Sequence, residues 1–161
     1  MRLTPEIMKR HNAFWRHEDV KTPILFVTVA NKNAAWDEHA PKTLHDKWEN
    51  IETRFKWSMF QMANHKCFGD AFSHEFINFG PGCMAAMLGS DYVLTDNSVW
   101  FGENVTFIDD WDKLGDLRLM EDSPMYRLVE DMTVYYGERS NGEYQVSITD
   151  PGGQLGHTGV L

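Results

Sequence analysis

Three segments with strand character, separated by helix-forming stretches, limit most strongly what this chain can fold into. They are PILFVTVA at 23–30, HEFINF at 74–79 and YQVSIT at 144–149. The first is a nearly continuous run of apolar and β-branched residues, which is typical of a strand buried on both faces of a parallel sheet. Strands that alternate with helices form parallel βαβ units. The sequence therefore predicts an α/β fold with three parallel strands and flanking helices.

Helix boundaries can be read from capping signals. Thr4-Pro5 and Ser123-Pro124 each place a capping hydroxyl before a proline at the first helical position. Between 43 and 62, apolar residues recur at intervals of three and four, which predicts one long amphipathic helix. Turn-forming residues at 96–97 predict a hairpin in the connection that leads to the last helix.

Composition narrows the function classes. The chain has 161 residues and a formal net charge of −9. Nucleic acid and anionic membranes both attract basic surfaces, so neither is an expected partner. The longest strongly apolar run, 23–30, falls far short of the ~20 residues of a spanning helix. With only two cysteines, a reducing cytoplasm is the expected compartment.

An ordered series of short motifs carries a family resemblance. FINFGPGCMAAMLGSDYVLTDNSVWFGE is followed by IDDWDKL and then SPMYRLVEDM, and the likeness extends from HNAFWRHEDVKTPILFVTVA to YQVSITDPGGQL. This pattern resembles the uroporphyrinogen decarboxylase-like superfamily, in particular its branch related to corrinoid-dependent methyltransferases. The resemblance implies the N-terminal portion of a (β/α)8 TIM barrel, a fold of typically ~250 residues.

The resemblance also suggests an activity. Two arginines that grip the substrate carboxylates in the decarboxylases fall on Thr28 and Lys32 here. A substrate with many carboxylates needs several cations to offset the loss of its hydration. The expected function is therefore a methyltransferase that acts on a small methylated compound with a corrinoid protein. Decarboxylation of a porphyrinogen-type acid is one alternative, and a non-catalytic fragment or partner-dependent scaffold is another.

Candidate site residues follow from the barrel rule that chemistry lies at the C-terminal ends of strands and in the loops after them. The expected catalytic residues are Asp70, His74 and Asp150. The expected substrate-binding residues are Asn31, Lys32, Asn78, Gln154 and His157.

Purely structural roles for two of these residues remain as alternatives. Asp70, which roughly matches the family's catalytic aspartate, is also readable as a solvated residue at a strand entrance, and His74 as a histidine satisfied by a nearby backbone group. Alternation along HEFINF predicts that His74 and Asn78 point into the barrel, while Glu75 and Ile77 turn outward.

No metal site is predicted in this chain. His65-Lys66-Cys67 with Cys83 has zinc-ligand chemistry, but a free buried cysteine more often acts as a small hydrophobe. The resemblance implies that zinc ligands would lie in the other half of the barrel, and that a corrinoid would be brought by a partner. Three strands from an open barrel leave an unpaired edge, so we expect an oligomer or completion by another chain.

Overall fold

The computed structural model describes residues 2–101, 112, 119 and 121–150. These residues form a mixed α/β structure. Its helices are α1 (Pro5–Trp15), α2 (Trp36–His39), α3 (Leu44–Trp48), α4 (Ile51–Ala63), α5 (Cys83–Met87) and α6 (Pro124–Arg139). Its strands are β1 (Phe26–Ala30), β2 (His65–Gly69), β3 (His74–Phe76), β4 (Tyr92–Leu94), β5 (Val99–Phe101) and β6 (Gln145–Ser147).

The predicted helix starts are confirmed at both proline-led sites. The Thr4 side chain accepts a hydrogen bond from the backbone N–H of Ile7 at 3.3 Å. The Ser123 side chain does the same for Tyr126 at 3.2 Å. These caps satisfy N–H groups that have no partner within the helix.

The single helix expected over 43–62 is wrong, because the chain forms two helices there. Thr43 caps α3, and the Asn50 side chain then accepts from the N–H of Thr53 to begin α4. An asparagine that bonds its own downstream backbone favours a new cap over helix continuation. The apolar stripe itself is retained, since Trp48, Ile51 and Phe55 pack against the core.

The prediction that the first strand pairs in a parallel sheet is also wrong. β1 pairs antiparallel with β2, a strand that the sequence analysis did not predict. Asn64 ends α4, and the chain then returns along β1, with Ala30 opposite His65 and Phe26 opposite Gly69. All five residues of β1 are exposed, so the expectation of a strand buried on both faces is wrong as well.

Parallel pairing holds for the other two predicted strands. β3 and β6 are parallel, with Glu75 opposite Val146. The hairpin predicted around 96–97 is confirmed as the antiparallel pair of β4 and β5. In the part of the chain that the structure describes, each sheet has two strands and none closes into a barrel.

The core lies between α4, α5, α6, β6 and the segment that follows β3. Its largest fully buried side chains are Ile77, Phe79, Cys83, Met125, Met132 and Tyr136. No helix among the described residues combines the length and the apolar character needed to cross a membrane.

Candidate functional site

A groove of about 200 Å³ lies at the junction of the β1–β2 ladder, β3 and α4. The described residues that line it are Thr28, Ser58, Gln61, Met62, His65, Cys67, Phe72, Ser73, His74 and Glu75. It is the place where the open ladder meets the closed core, and it gathers hydroxyl, imidazole, thiol and carboxyl groups.

The ladder register places one wall of the groove. Thr28 stands directly opposite Cys67, and Ala30 stands opposite His65. Residues paired across an antiparallel ladder share a face, so Thr28, Cys67 and His65 lie on the same side of the sheet. The opposite wall comes from α4, where Ser58, Gln61 and Met62 recur at helical spacing.

Aromatic rings close one end of the groove. The His74 ring lies 5.3 Å from the ring of Phe26 and 6.1 Å from that of Phe72, centroid to centroid. The rings of Phe26 and Phe72 meet edge to face at 5.4 Å. These contacts fix the imidazole at the groove even though His74 as a whole is exposed.

Glu75 brings a carboxyl from β3 to the groove, beside the closed core. It is half-buried, and burial raises the pKa of its carboxyl above the ordinary value of 4.5. The Ser58 hydroxyl and the Arg54 charge act in the opposite direction, because both favour the ionised form. Glu75 therefore holds a proton to a higher pH than a surface glutamate does.

Buried hydroxyl groups lie next to the Glu75 carboxyl and are linked by hydrogen bonds. The hydroxyls of Ser58 and Tyr136 are 3.2 Å apart, and both residues are buried. The Tyr144 hydroxyl donates to the backbone oxygen of Tyr136 at 2.6 Å. Burial raises the pKa of the Tyr136 hydroxyl, so it stays neutral and available as a hydrogen-bond donor.

Arg54 lies on the other side of this cluster and has its own partners. Its guanidinium sits 4.9 Å from the centroid of the Phe79 ring and donates to the backbone oxygen of Trp48 at 3.1 Å. Burial lowers its pKa, with Tyr136 and Glu75 opposing the shift. Arg54 therefore influences the Glu75 carboxyl through its positive charge, and it does not line the groove.

Asp70 does not line the groove, and the reading of it as a solvated residue is wrong. It is buried and forms an ion pair with Arg10, with a second contact of 3.2 Å from Oδ2 to the guanidinium. Its Oδ2 also accepts from the N–H of Leu25 at 3.1 Å. The hydrogen bond from Arg10 and that from Leu25 hold the pKa of the carboxyl below its usual value of 3.8. Asp70 thus ties α1 to the start of β1.

Asn78 and Asp150 follow the two parallel strands, as the sequence analysis expected, but neither lines the groove. The Asn78 side chain accepts from the N–H of Gly80 at 2.7 Å and so shapes the turn before α5. Asp150 is exposed and close enough to Cys83 for its charge to raise the pKa of that thiol.

The remaining candidates lie elsewhere. Asn31 follows β1 and accepts from the Trp36 indole at 2.8 Å through its backbone oxygen, and Lys32 is exposed beside it. Gln154 and His157 lie outside the described residues. Of the six candidates that the structure describes, His74 is the one that lines the groove.

Sequence reasoning missed the Glu75 carboxyl and the contribution of α4 to the groove. Glu75 follows His74 along β3, and its carboxyl interacts with Ser58 and Arg54 of α4. A glutamate that shares a strand face with a core isoleucine is an available signal, because burying a charge is costly without a role. His65 and Cys67 were considered for their zinc-ligand chemistry, but they could not be placed in the groove because β2 was not predicted.

The described residues contain no group of three or more histidine, cysteine, aspartate or glutamate side chains that could hold a metal ion. Burial and the charge of Asp150 raise the pKa of the Cys83 thiol to about 11, which keeps it protonated near neutral pH. Cys83 is buried in the apolar core and belongs to no group of potential metal ligands among the described residues.

Comparisons of the chain with protein-family models, with curated proteins and with solved structures give no match. The site therefore has to be interpreted from its own chemistry and from the resemblance in the sequence.

Proposed function

We propose that this chain is the N-terminal part of a uroporphyrinogen decarboxylase-like barrel enzyme that acts in the cytoplasm. Its activity is the transfer of a methyl group between a small methylated compound and a corrinoid carried by a partner protein. The observation that carries the proposal is the position of Thr28. The resemblance aligns this residue with an arginine that grips substrate carboxylates, and here it lines the groove from the middle of β1.

The lining favours a small substrate over a porphyrinogen. Among the described residues that line the groove there is no lysine or arginine. Its volume of about 200 Å³ lies below the ~300–1,000 Å³ of pockets for drug-sized ligands. A tetrapyrrole with many carboxylates would need both more space and more positive charge, so decarboxylation is the weaker proposal.

The chain's own residues would bind and orient the methyl donor. Thr28, Ser58 and Gln61 offer hydrogen bonds, and Met62 and Phe72 offer apolar contact for a methyl group. The corrinoid, when bound through its partner, supplies the electron pair that accepts the methyl group. When the donor is neutral, its leaving group would keep the electrons of the broken bond to the methyl carbon and would take up a proton. His74 lines the groove and could supply that proton.

The direct test is whether small methylated compounds bind in the groove. The full chain is titrated with methanol, dimethyl sulfide and methylammonium and followed by amide NMR spectra. We expect at least one of these compounds to shift the amide signals of Thr28 and Cys67. Thr28→Trp should abolish these shifts by filling the groove. Val27→Trp is the matched control, because it alters the same strand on its other face. Tight binding of a porphyrinogen, or no shifts with any methylated compound, would overturn the proposal.

A specific observation favours a second candidate, the partner-dependent scaffold. The outer face of the β1–β2 ladder, formed by Val27, Val29, Lys66 and Phe68, carries three apolar side chains that are 44–50% exposed. Exposed apolar strand faces promote association. Sedimentation over a range of concentrations tests this, because a scaffold that needs a copy of itself would gain mass, whereas a monomer at every concentration would argue against self-association.

A further inference from the structure

Two backbone hydrogen bonds at the ends of the β1–β2 ladder show which residues of β1 point at β2. The N–H of Asn31 donates to the Asn64 oxygen at 2.8 Å, and the N–H of Asp70 donates to the Leu25 oxygen at 2.7 Å. Both pairs continue the register of the ladder. Hydrogen-bonded pairs alternate along an antiparallel ladder, so the odd-numbered residues from 25 to 31 direct their backbone groups at β2.

The even-numbered residues of β1 direct their backbone groups at the opposite edge. They are Phe26, Thr28 and Ala30, and their N–H and C=O groups have no hydrogen-bond partner in the described part of the chain. All five residues of β1 are exposed, so this edge is accessible. An open edge of this kind can accept a further strand from another chain.

The sequence of β1 lacks the features that protect exposed edges. Such edges are commonly blocked by charged side chains, by proline or by a bulge. FVTVA contains neither a charged residue nor a proline, and it pairs residue by residue with β2 without a bulge. The free edge of β1 therefore favours pairing with another strand.

A second copy of β1 is complementary to this edge. When two copies run antiparallel with full overlap, Thr28 lies opposite the partner's Thr28, and the residues on either side are matched in the same way. Phe26 then lies opposite the partner's Ala30, and Val27 lies opposite the partner's Val29. A large ring meets a small side chain, β-branched side chains meet each other, and no like charges are opposed. The three pairs at the edge would exchange about six hydrogen bonds.

We propose that two copies of this chain join edge to edge through β1, about a two-fold axis at Thr28, and form one antiparallel sheet in the order β2–β1–β1–β2. A two-fold contact uses the same surface of both copies, so it closes at the dimer and does not propagate. The inference rests on the second candidate under the proposed function, the scaffold that needs a copy of itself, and it specifies how the copies meet.

Sedimentation equilibrium of the full chain and of two charge variants tests the edge contact. We expect the wild type to dimerise as its concentration is raised. Val27→Glu/Val29→Glu places glutamate opposite glutamate across the axis, so its dimer should dissociate at least about tenfold more readily. Val27→Lys/Val29→Glu is the matched control, because it places lysine opposite glutamate and should stay within about threefold of the wild type.

The two variants differ only in the sign of one charge. Val27 and Val29 are 45% and 50% exposed, so charges are tolerated there by the folded chain, and circular dichroism verifies this. Lys66 stands opposite position 29 in both variants, so its effect cancels in the comparison. Dimers lost equally in both variants would overturn the edge contact and indicate stacking of the outer faces, which needs apolar side chains at both positions.

Disulfide trapping tests the register. An oxidised mixture of Val27→Cys and Val29→Cys chains should form a cross-linked dimer, because directly opposed residues have Cα atoms about 4.5–5.5 Å apart, within disulfide range. Either variant alone should give little, since its two cysteines would be diagonal neighbours about 7–8 Å apart. Cys67 lies on the other face of the ladder, opposite Thr28, and does not compete.

Equal cross-linking in the mixture and in the single variants would contradict the proposed register. A wild type that stays monomeric at every concentration would overturn the inference together with the scaffold candidate. The methyltransferase proposal is tested separately, because the amide signal of Cys67 reports ligand binding in the groove in monomer and dimer alike.

Discussion

The β1–β2 ladder and the β3–β6 core differ in burial, and the difference is opposite to what the composition of their strands suggests. β1, Phe26–Ala30, belongs to the most apolar run of the chain, and every one of its residues is exposed. The segment around β3 carries a histidine, a glutamate and an asparagine, yet Ile77 and Phe79 beside them are completely buried. The composition of a strand thus indicates what it is able to bury, whereas the elements that pack on it decide what is buried.

The difference has a simple structural origin. α6 packs on β6, α4 and α5 pack on α6, and all three helices contribute side chains to the core that includes Ile77, Phe79 and Val146. The β1–β2 ladder turns one face towards the groove and leaves its outer face without cover from the described residues. The groove lies on the boundary, where a carboxyl from the closed region meets side chains from the open one.

The largest expected contrast is between matched truncations in the two regions. Met132→Ala should lower the free energy of unfolding by about 2–5 kcal/mol, because it leaves a cavity in the closed core. Val29→Ala on the outer face should cost less than about 1 kcal/mol, since that side chain is already half exposed. Urea denaturation of both variants measures the two losses, and losses of similar size would erase the distinction.

The ion pair between Asp70 and Arg10, next to the start of β1, should lose its stabilising effect in acid. Asp70→Asn should lower the melting temperature by a few degrees at neutral pH, because it removes the charge that binds Arg10. The folded pKa of Asp70 lies below 3.8, so its stabilisation is present above that value and is lost as the pH falls through the folded pKa. Melting curves of the wild type and the variant should converge in that acidic window. A difference that persists there would show that Asp70 acts through shape alone.

The hydroxyl chain behind Glu75 should contribute a moderate amount. Tyr136→Phe should cost about 1 kcal/mol, because it removes the buried hydrogen bond between the Tyr136 and Ser58 hydroxyls. Tyr135→Phe is the matched control on the next residue, which is less buried. Chemical denaturation should separate the two variants, and equal stabilities would mean that the contact between Ser58 and Tyr136 has no net value.

Glu75 should produce the smallest effect on stability, with the opposite sign to Asp70. Its folded pKa is raised above 4.5, so the folded state binds the proton more tightly than the unfolded chain. The free energy of unfolding should therefore decrease as the pH rises from 4.5 through the folded pKa. Glu75→Gln should flatten this dependence in denaturation curves, and Glu52→Gln should leave it intact. A slope that is unchanged in Glu75→Gln would assign the pH dependence to other groups.

Local signals predicted the helix starts and the parallel pairing of β3 with β6. Caps and prolines act within a few residues, so Thr4-Pro5 and Ser123-Pro124 could be interpreted without knowing the fold. β2 could not be found, because HKCFG lacks a strand pattern and becomes a strand by pairing with β1. The groove depends on that pairing, and this is why His74 could be named in advance while Thr28, Cys67 and Glu75 could not be grouped with it.

Hydrogen exchange of the dilute chain, resolved by residue, tests most directly the claim that a closed core adjoins an open ladder. Backbone amides in the middle of α6 should exchange only on global unfolding, since Met132 and Tyr136 are completely buried. Hydrogen-bonded amides of the β1–β2 ladder should exchange at least about 100-fold faster through local opening. Equal protection of the two regions in a monomer would contradict the account.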